Sequence, residues 1–238
     1  MKILSVECSA GPVSCAVTED GKLKGSFYLN RNMTHSETLM PMIDALLGSS
    51  GVGLSDISCF AVAAGPGSFT GVRIGISAVK GLAFPNGTPC VAVSPLEAMA
   101  YNFLGSDAVI CGCMDARRSQ VYNAIFKVSG NTVTRLCDDR ALSVSELLCE
   151  LRESYRGERV VLAGDGAELV MNAAEEENSD GLLLSAENLR YQNAIGVAFA
   201  AEMLYNNGGA VPPEELLPVY LRLSQAEREL RSRSSEER

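Results

Sequence analysis

The strongest constraint on the fold is a glycine-rich segment at residues 65–75, which reads GPGSFTGVRIG. The apolar run 59–64 precedes it and predicts a buried strand, and the apolar run 74–84 follows it and predicts a helix. Glycine tolerates backbone turns at which a Cβ atom would clash. The segment therefore predicts a strand, a tight turn and a helix, with Ser68 or Thr70 as the N-cap of that helix.

Two familiar phosphate-binding motifs do not fit this segment, although exposed amides at a helix start suit an anion. A P-loop requires a lysine after its last glycine, and Val72 follows Gly71 here. A Rossmann fingerprint requires a third glycine one residue earlier and an acidic residue about 20 residues further on. Positions 85–95 contain neither Asp nor Glu. A tight turn that binds no ligand therefore stays open as an alternative.

The predicted helix over 70–84 is apolar on nearly all sides and carries only Arg73 and Lys80 as charged residues. Such a helix must be covered on more than one side. One side can pack on its own sheet, and the other requires a second helix or another protein chain.

The first part of the chain predicts three strands, over 1–6, 14–18 and 23–29, with a hairpin at Asp20-Gly21. Ser36 is predicted as the N-cap of a helix. The apolar residues of that helix recur at helical spacing, as Leu39, Met40, Ile43, Leu46 and Leu47. Further elements are the strand 59–64, the helix 70–84, a strand over 90–93 and a helix over 95–103.

The second part of the chain predicts a similar order of elements. Its strands are predicted over 108–114, 120–128, 132–136, 159–163 and 182–184. Its helices are predicted over 144–152, 167–175 and 193–205, and a short extended segment follows at 218–222. We therefore expect two lobes, 1–105 and 106–222, that are weak structural copies of each other. A charged tail at 223–238 is expected to be flexible.

Composition excludes several classes of function. The net charge of −9 argues against a nonspecific grip on nucleic acid. Eight cysteines without a C-x-x-C spacing predict reduced core thiols. We find neither a signal peptide pattern nor an apolar run of transmembrane length, so a cytoplasmic location is expected. His35 is the only histidine, and a metal site requires several ligands, so we predict no metal site and a surface position for His35.

Five segments together resemble the bacterial TsaB (YeaZ) family. The chain opens with ILSVECS at 3–9, and HSE at 35–37 leads into the first predicted helix. The segment 65–75 is the longest and most specific match. The segments DARR at 115–118 and PVYLR at 218–222 complete the set, so the resemblance covers about residues 1–222.

The resemblance implies the actin/Hsp70/sugar-kinase-like (ASKHA) α/β fold, with two related lobes that each contain a mixed sheet. It also implies a non-catalytic scaffold or dimerisation subunit in the synthesis of threonylcarbamoyladenosine (t6A) at adenosine-37 of tRNAs that read codons starting with A. Family members bind the catalytic paralogue TsaD, and with it the ATPase TsaE, and form homodimers when alone. The tRNA is reached only through the complex. The resemblance implies that no cofactor is required, and that ATP or ADP can bind at the junction with TsaD.

The resemblance also implies where the partner binds. In the family, the first helix and the helix after the glycine turn pair with the same two helices of the partner as a four-helix bundle. This assigns the interface to nine residues: Ser36, Leu39, Met40, Ile43, Leu47, Thr70, Arg73, Ile74 and Ala78. Gly75 is expected to let the helices approach closely. The alternative is that these residues face only the core of their own chain.

The main alternative function is a nucleotide-binding or nucleotide-hydrolysing enzyme of the same fold, in a superfamily that includes M22-type glycoproteases. The residues around the phosphates would then be Glu7, Gly65, Gly67 and Ser68. The family carries Asp where this chain has Glu7, which argues against nucleotide turnover. A third alternative is direct tRNA binding through Arg117, Arg118 and Arg135, which the acidic balance disfavours.

Overall fold

Two mixed β-sheets organise the chain, as seen in a computed structural model that describes residues 1–31, 34–177 and 180–222. The strands of the first half are β1 Lys2–Glu7, β2 Val13–Glu19, β3 Lys22–Leu29, β4 Cys59–Ala63 and β5 Cys90–Val93. The α-helices of the first half are α1 His35–Ser50, α2 Phe69–Ala83 and α3 Pro95–Ala100. These elements lie where the apolar periodicity predicts them.

The second half adds the strands β6 Asp107–Asp115, β7 Gln120–Ser129, β8 Thr132–Arg135, β9 Arg140–Ser143, β10 Val160–Ala163 and β11 Leu182–Leu184. Its α-helices are α4 Val144–Ser154, α5 Ala167–Glu176, α6 Glu187–Arg190 and α7 Ala194–Asn206. The sequence pattern missed β9 and α6, because each has 4 residues, includes charged side chains and lacks a continuous apolar run. None of the helices in the described ranges is long and apolar enough to cross a bilayer.

The two sheets share one topology. The first has the strand order β3-β2-β1-β4-β5, and the second, read in the matching direction, has the order β8-β7-β6-β10-β11, with β9 paired to β7. In each sheet the first three strands are antiparallel neighbours and the last two join in parallel. Helices α1 and α4 precede the fourth strand of their sheets, and α2 and α5 follow it. The expected pair of related lobes is confirmed.

Helices cover the first sheet on both faces, because its central strands are apolar on both sides. Leu4 and Val6 lie in a core with α1 and α2, whereas Ile3 lies in a core with α7. The chain after α7 stays with this sheet, since Val211 pairs with Cys90 and Leu216 lies in the first core. The lobe limits 1–105 and 106–222 stay a prediction, and the predicted tail 223–238 lies outside the described residues.

Helix α1 begins at His35, so the prediction of Ser36 as its N-cap is wrong. Thr34 occupies the N-cap position, and its carbonyl oxygen accepts a hydrogen bond from the Glu37 amide at 3.0 Å. Thr34 and Ser36 are both favoured N-cap residues, so sequence alone did not separate them. For α2 the choice is resolved in favour of Ser68, whose Oγ accepts a hydrogen bond from the Gly71 amide at 3.3 Å.

Six of the eight cysteines are buried, as predicted. All eight are free thiols, and among them Cys137 is half-buried and Cys149 exposed. Burial raises the pKa of Cys15 and of Cys59 to about 12. These buried thiols therefore stay protonated at neutral pH and act as small apolar side chains.

Gly71 and Gly81 provide a matched pair of substitutions on helix α2. A Cβ atom at Gly71 would lie 2.0 Å from the carbonyl oxygen of Cys8, whereas one at Gly81 would meet no atom within 4 Å. We expect Gly71→Ala to lower the free energy of unfolding by about 1–3 kcal/mol, because the packed backbone must move. Gly81→Ala should raise it by about 0.5–1 kcal/mol, because alanine is the better helix former. Urea unfolding followed by circular dichroism measures both, and equal effects would contradict the close packing.

Candidate functional site

The glycine-rich turn between β4 and α2 is a packing junction. Gly65 has a φ of +110°, and a Cβ atom there would lie 2.3 Å from the carbonyl oxygen of Val219. A Cβ atom at Gly67 would lie 2.4 Å from the carbonyl oxygen of Ser9. The Ser68 amide donates to that same oxygen at 2.7 Å. The glycines thus admit the first hairpin on one side and the C-terminal segment on the other.

Helices α1 and α2 lie side by side on the first sheet and expose a common outer face, which we name the paired-helix surface. Its members among the predicted contact residues are Ser36, Met40, Leu47, Thr70, Arg73, Ile74 and Ala78, all exposed or half-buried. Gly48 and Gly81 are exposed on the same two helices, and neither has an atom within 4 Å of a Cβ position. The surface therefore combines apolar side chains with positions that leave room for another backbone.

The prediction that Leu39 and Ile43 lie at the partner surface is wrong. Leu39 is 1% exposed and Ile43 is 2% exposed, and both lie in the core beneath α1. Gly75 also faces inward, since a Cβ atom there would lie 3.1 Å from a methyl carbon of Val62. The helical period was identified correctly, but the apolar face of α1 covers its own sheet.

Arg73 is held by aromatic side chains of its own chain. Its guanidinium carbon lies 3.9 Å from the centroid of the Phe69 ring, and its Nε donates to the Tyr220 hydroxyl at 2.9 Å. The rings of Phe69 and Tyr220 stack with their centroids 4.6 Å apart. The first turn of α2 is therefore fastened to the C-terminal segment.

A cleft of about 530 Å³ separates the two lobes. The glycine turn, the second lobe and the C-terminal segment each contribute to its lining, with Gly67, Ser68, Asp115, Asp165, Tyr220 and Arg222. Of the four predicted nucleotide-binding residues, Gly67 and Ser68 thus border the cleft. Gly65 is instead covered by the Val219 backbone, and Glu7 is fully buried.

Two carboxylates of the second lobe face the cleft, and neither was predicted as a site residue. Asp115 ends β6 and Asp165 follows β10, and these neighbouring parallel strands bring their carboxyl ends to one edge of the sheet. That edge is the signal that could have found them. Asp115 accepts a hydrogen bond from the Arg117 amide at 2.7 Å, and Asp165 accepts one from Gln192 at 2.8 Å. Desolvation in the cleft, with a smaller contribution from nearby Asp115, raises the pKa of Asp165.

Glu7 lies inside the protein at the end of β1. One carboxylate oxygen accepts a hydrogen bond from the Ser9 amide, and the other has no partner among the described residues. Burial raises the pKa of Glu7 from 4.5 to about 7, against the lowering effect of the bonds with Ser9. The side chain is therefore a partly protonated core group at neutral pH.

His35 begins α1, so its predicted place near a helix start is confirmed, but its side chain is half-buried and not fully at the surface. Its Nε2 is hydrogen-bonded to the Ala10 carbonyl oxygen at 2.8 Å. The ring also lies 3.4 Å from a Cβ position at Gly71, which places it between the first hairpin and α2. Within the ranges that the structure describes, no group of three or more histidine, cysteine or acidic side chains could hold a metal ion.

A family match and the arrangement of the two sheets together identify the class of protein. The sequence model of the TsaD family, tRNA N6-adenosine threonylcarbamoyltransferase, matches residues 31–207. Together with the duplicated mixed sheets, this match shows a TsaD-like protein with the actin/Hsp70/sugar-kinase-like fold.

Comparison with individual proteins narrows the class. The chain is 31% identical to the tRNA threonylcarbamoyladenosine biosynthesis protein TsaB of Escherichia coli, over 93% of this chain and 95% of that protein. It is 30% identical to TsaB of Bacillus subtilis, over 95% and 96% of the two chains. The structure of YeaZ from Pseudomonas aeruginosa superposes with a TM-score of 0.77 at 27% identity and covers 92% of this chain and 99% of that one. The chain belongs to the TsaB family.

We expect the stability of the fold to decrease as the pH rises from about 4.5 to about 7. In this range the folded protein keeps the proton on Glu7, whereas the unfolded chain loses it, so deprotonation favours unfolding. Glu7→Gln should remove this loss, which amounts to at most about 3 kcal/mol. Urea unfolding of both proteins between about pH 5 and about pH 8 measures the difference. An identical pH dependence would contradict a raised pKa at Glu7.

Proposed function

We propose that the chain is a non-catalytic scaffold subunit in the synthesis of t6A at adenosine-37 of tRNAs that read codons starting with A. In this role it binds the catalytic paralogue TsaD, and with it TsaE, in the cytoplasm and away from membranes. The same surface joins two copies of the chain when TsaD is absent. The observation that carries the proposal is the paired-helix surface on a member of the TsaB family.

The chemistry of the paired-helix surface supports a helix-to-helix interface. Met40 is 45% exposed, and a flexible thioether side chain adapts well to a partner. Ile74 and Ala78 are half-buried along α2, and Gly48 and Gly81 leave space for the ridges of a facing helix. A stable interface of this kind buries roughly 1,600 Å² in total.

The surroundings of Glu7, His35 and Cys8 support a non-catalytic role for the chain alone. A catalytic base or nucleophile must reach its substrate. Glu7 is closed inside the first lobe, and His35 is tied to the Ala10 carbonyl. Burial raises the pKa of Cys8 well above its ordinary value, which disfavours the nucleophilic thiolate. We therefore assign the transfer chemistry to TsaD.

We infer that the chain contacts tRNA only through the complex. Arg135 was one of three arginines in the alternative tRNA-binding patch, but its guanidinium lies 2.7 Å from Glu97 and 2.6 Å from Asp139. It also lies over the Phe126 ring, with 4.8 Å between the guanidinium carbon and the ring centroid. The net charge of −9 further weakens direct binding to a phosphate backbone.

We infer that ATP or ADP binds at the junction with TsaD and is not a required cofactor of this chain. The Ser68 amide, which would have to face a phosphate, donates to Ser9. The backbone of Ser9 also fills the space beside Gly67. The charges of Asp115 and Asp165 are matched by those of Arg117 and Arg222 in the same lining, so the cleft offers no excess of positive charge to a phosphate. These residues do not fit a phosphate cradle, so the nucleotide-hydrolysing alternative is the weaker one.

The two nucleotide hypotheses differ in what the isolated chain does. We expect a fluorescent ATP analogue to bind the mixture with TsaD at least about tenfold more tightly than the isolated chain, because the junction supplies the contacts that the cleft lacks. Fluorescence anisotropy measures both affinities. ATP hydrolysis by the isolated chain that is lost in Glu7→Gln would favour the enzyme alternative instead.

Met40 and Met203 provide a matched test of the scaffold proposal. Met40 on α1 is 45% exposed, and Met203 on α7, on the other side of the first sheet, is 53% exposed. We expect Met40→Glu to weaken binding to TsaD and self-association by at least about 100-fold, because an unpaired carboxylate would be buried in the interface. Met203→Glu should change neither.

Light scattering after gel filtration reports the size of the chain alone and mixed with TsaD, and titration calorimetry gives the affinity. Thermal unfolding establishes that both variants are folded. Unchanged association of a folded Met40→Glu variant would show that the partner binds elsewhere.

A further inference from the structure

The C-terminal segment 218–222, which we name the strap, crosses the glycine turn and is not used by the proposed function. Its backbone contacts the turn directly, because the Val219 amide donates to the Ala64 carbonyl oxygen at 2.7 Å. The Val219 carbonyl oxygen lies over Gly65, where a Cβ atom would approach it to 2.3 Å. The strap therefore has a defined position that depends on the missing side chain of one glycine.

One side chain of the strap fixes the beginning of α2. Tyr220 stacks on Phe69, the first residue of that helix, with an angle of 22° between the rings. Its hydroxyl accepts the hydrogen bond from Arg73, one turn further along α2. Tyr220 thus determines where the Phe69 ring and the Arg73 guanidinium lie at the edge of the paired-helix surface.

A second side chain of the strap, which packs beside the first sheet, reaches the β6–β7 hairpin of the second sheet. The Arg222 guanidinium donates to the Ala116 carbonyl oxygen at 2.8 Å. Ala116 precedes three consecutive non-glycine residues with positive φ, Arg117 at 65°, Arg118 at 57° and Ser119 at 55°. The left-handed region is unfavourable for residues that carry a side chain, so this hairpin depends on contacts that hold its shape. Arg222 supplies one of them from across the cleft.

We propose that the strap positions the partner surface and makes it depend on the arrangement of the two lobes. Tyr220 holds the first turn of α2, and Arg222 anchors the same short segment to the β6–β7 hairpin. Movement of the second lobe away from the cleft would therefore pull on the strap and release Phe69 and Arg73. The inference rests on the proposed function, since it takes α2 as a partner-binding helix. Tyr220 and Arg222 are positioning residues in this scheme.

Arg222→Ala tests whether the strap positions the partner surface without removing a contact to the partner. The Arg222 side chain is bonded to the β6–β7 hairpin of its own chain. We expect this variant to bind TsaD roughly five- to tenfold more weakly, as expected for the loss of one charged hydrogen bond. Amide hydrogen exchange should become faster at 69–73 as well as at 116–120. Arg222→Lys keeps a donor and should recover part of the affinity. Arg118→Ala, which removes an exposed arginine from the same hairpin, should change neither measurement.

The exchange experiment does not require TsaD, and it is carried out in the Met40→Glu background, in which self-association is expected to be weakened, so that exchange at 69–73 reports on the strap. Faster exchange confined to 116–120, or unchanged affinity for TsaD, would overturn the inference, because the anchor would then stabilise only its own hairpin. Absence of TsaD binding by the unmodified chain would refute the proposed function, whereas unchanged exchange at 69–73 would refute the strap by itself.

Tyr220→Phe provides a second, conservative variant in case Arg222→Ala does not fold. It keeps the ring stack and removes only the acceptor for Arg73, so the protein is expected to fold normally. We expect faster exchange at 69–73 and roughly threefold weaker binding to TsaD. Exchange at 69–73 equal to that of the unmodified chain would overturn the inference.

Discussion

The backbone contact between the first hairpin and the start of α2 is the constraint on which the site depends. The Ser9 carbonyl oxygen accepts the Ser68 amide at 2.7 Å, and the Cys8 carbonyl oxygen lies where a side chain on Gly71 would have to be. A packed interior leaves no room to absorb such an atom. The direction in which α2 leaves the sheet, and with it the orientation of the paired-helix surface, follows from this contact.

The same junction explains why residues that the sequence suggests for nucleotide binding make contacts within their own chain in the structure. The Ser68 amide and the two glycines that a phosphate site would use are in contact with the backbones of Ser9 and Val219. Glu7 and His35 lie beside the hairpin and are drawn into its packing.

Structure that depends on neighbouring residues was predictable from the sequence, whereas contacts between distant parts of the chain were not. The strand, turn and helix around 65–75 follow from glycine positions and apolar runs that act over a few residues. Leu39 and Ile43 were assigned to the partner because a period identifies an apolar face and not what covers it. Asp165 was missed because only the pairing of β10 with β6 brings it near Asp115. The position of Arg222 likewise depends on the packing of both lobes.

The route of the chain through α7 has a consequence for protein synthesis. One face of the first sheet, which includes Ile3 and Ala61, is buried only when α7 packs on it, and Leu216 closes the other core from still further along the chain. Pairings between distant parts of a sequence form slowly, and a nascent sheet with an uncovered apolar face is prone to aggregate. The N-terminal half therefore emerges from the ribosome well before α7 and Leu216 exist to cover it, and its apolar faces stay exposed to aggregation until they are synthesised.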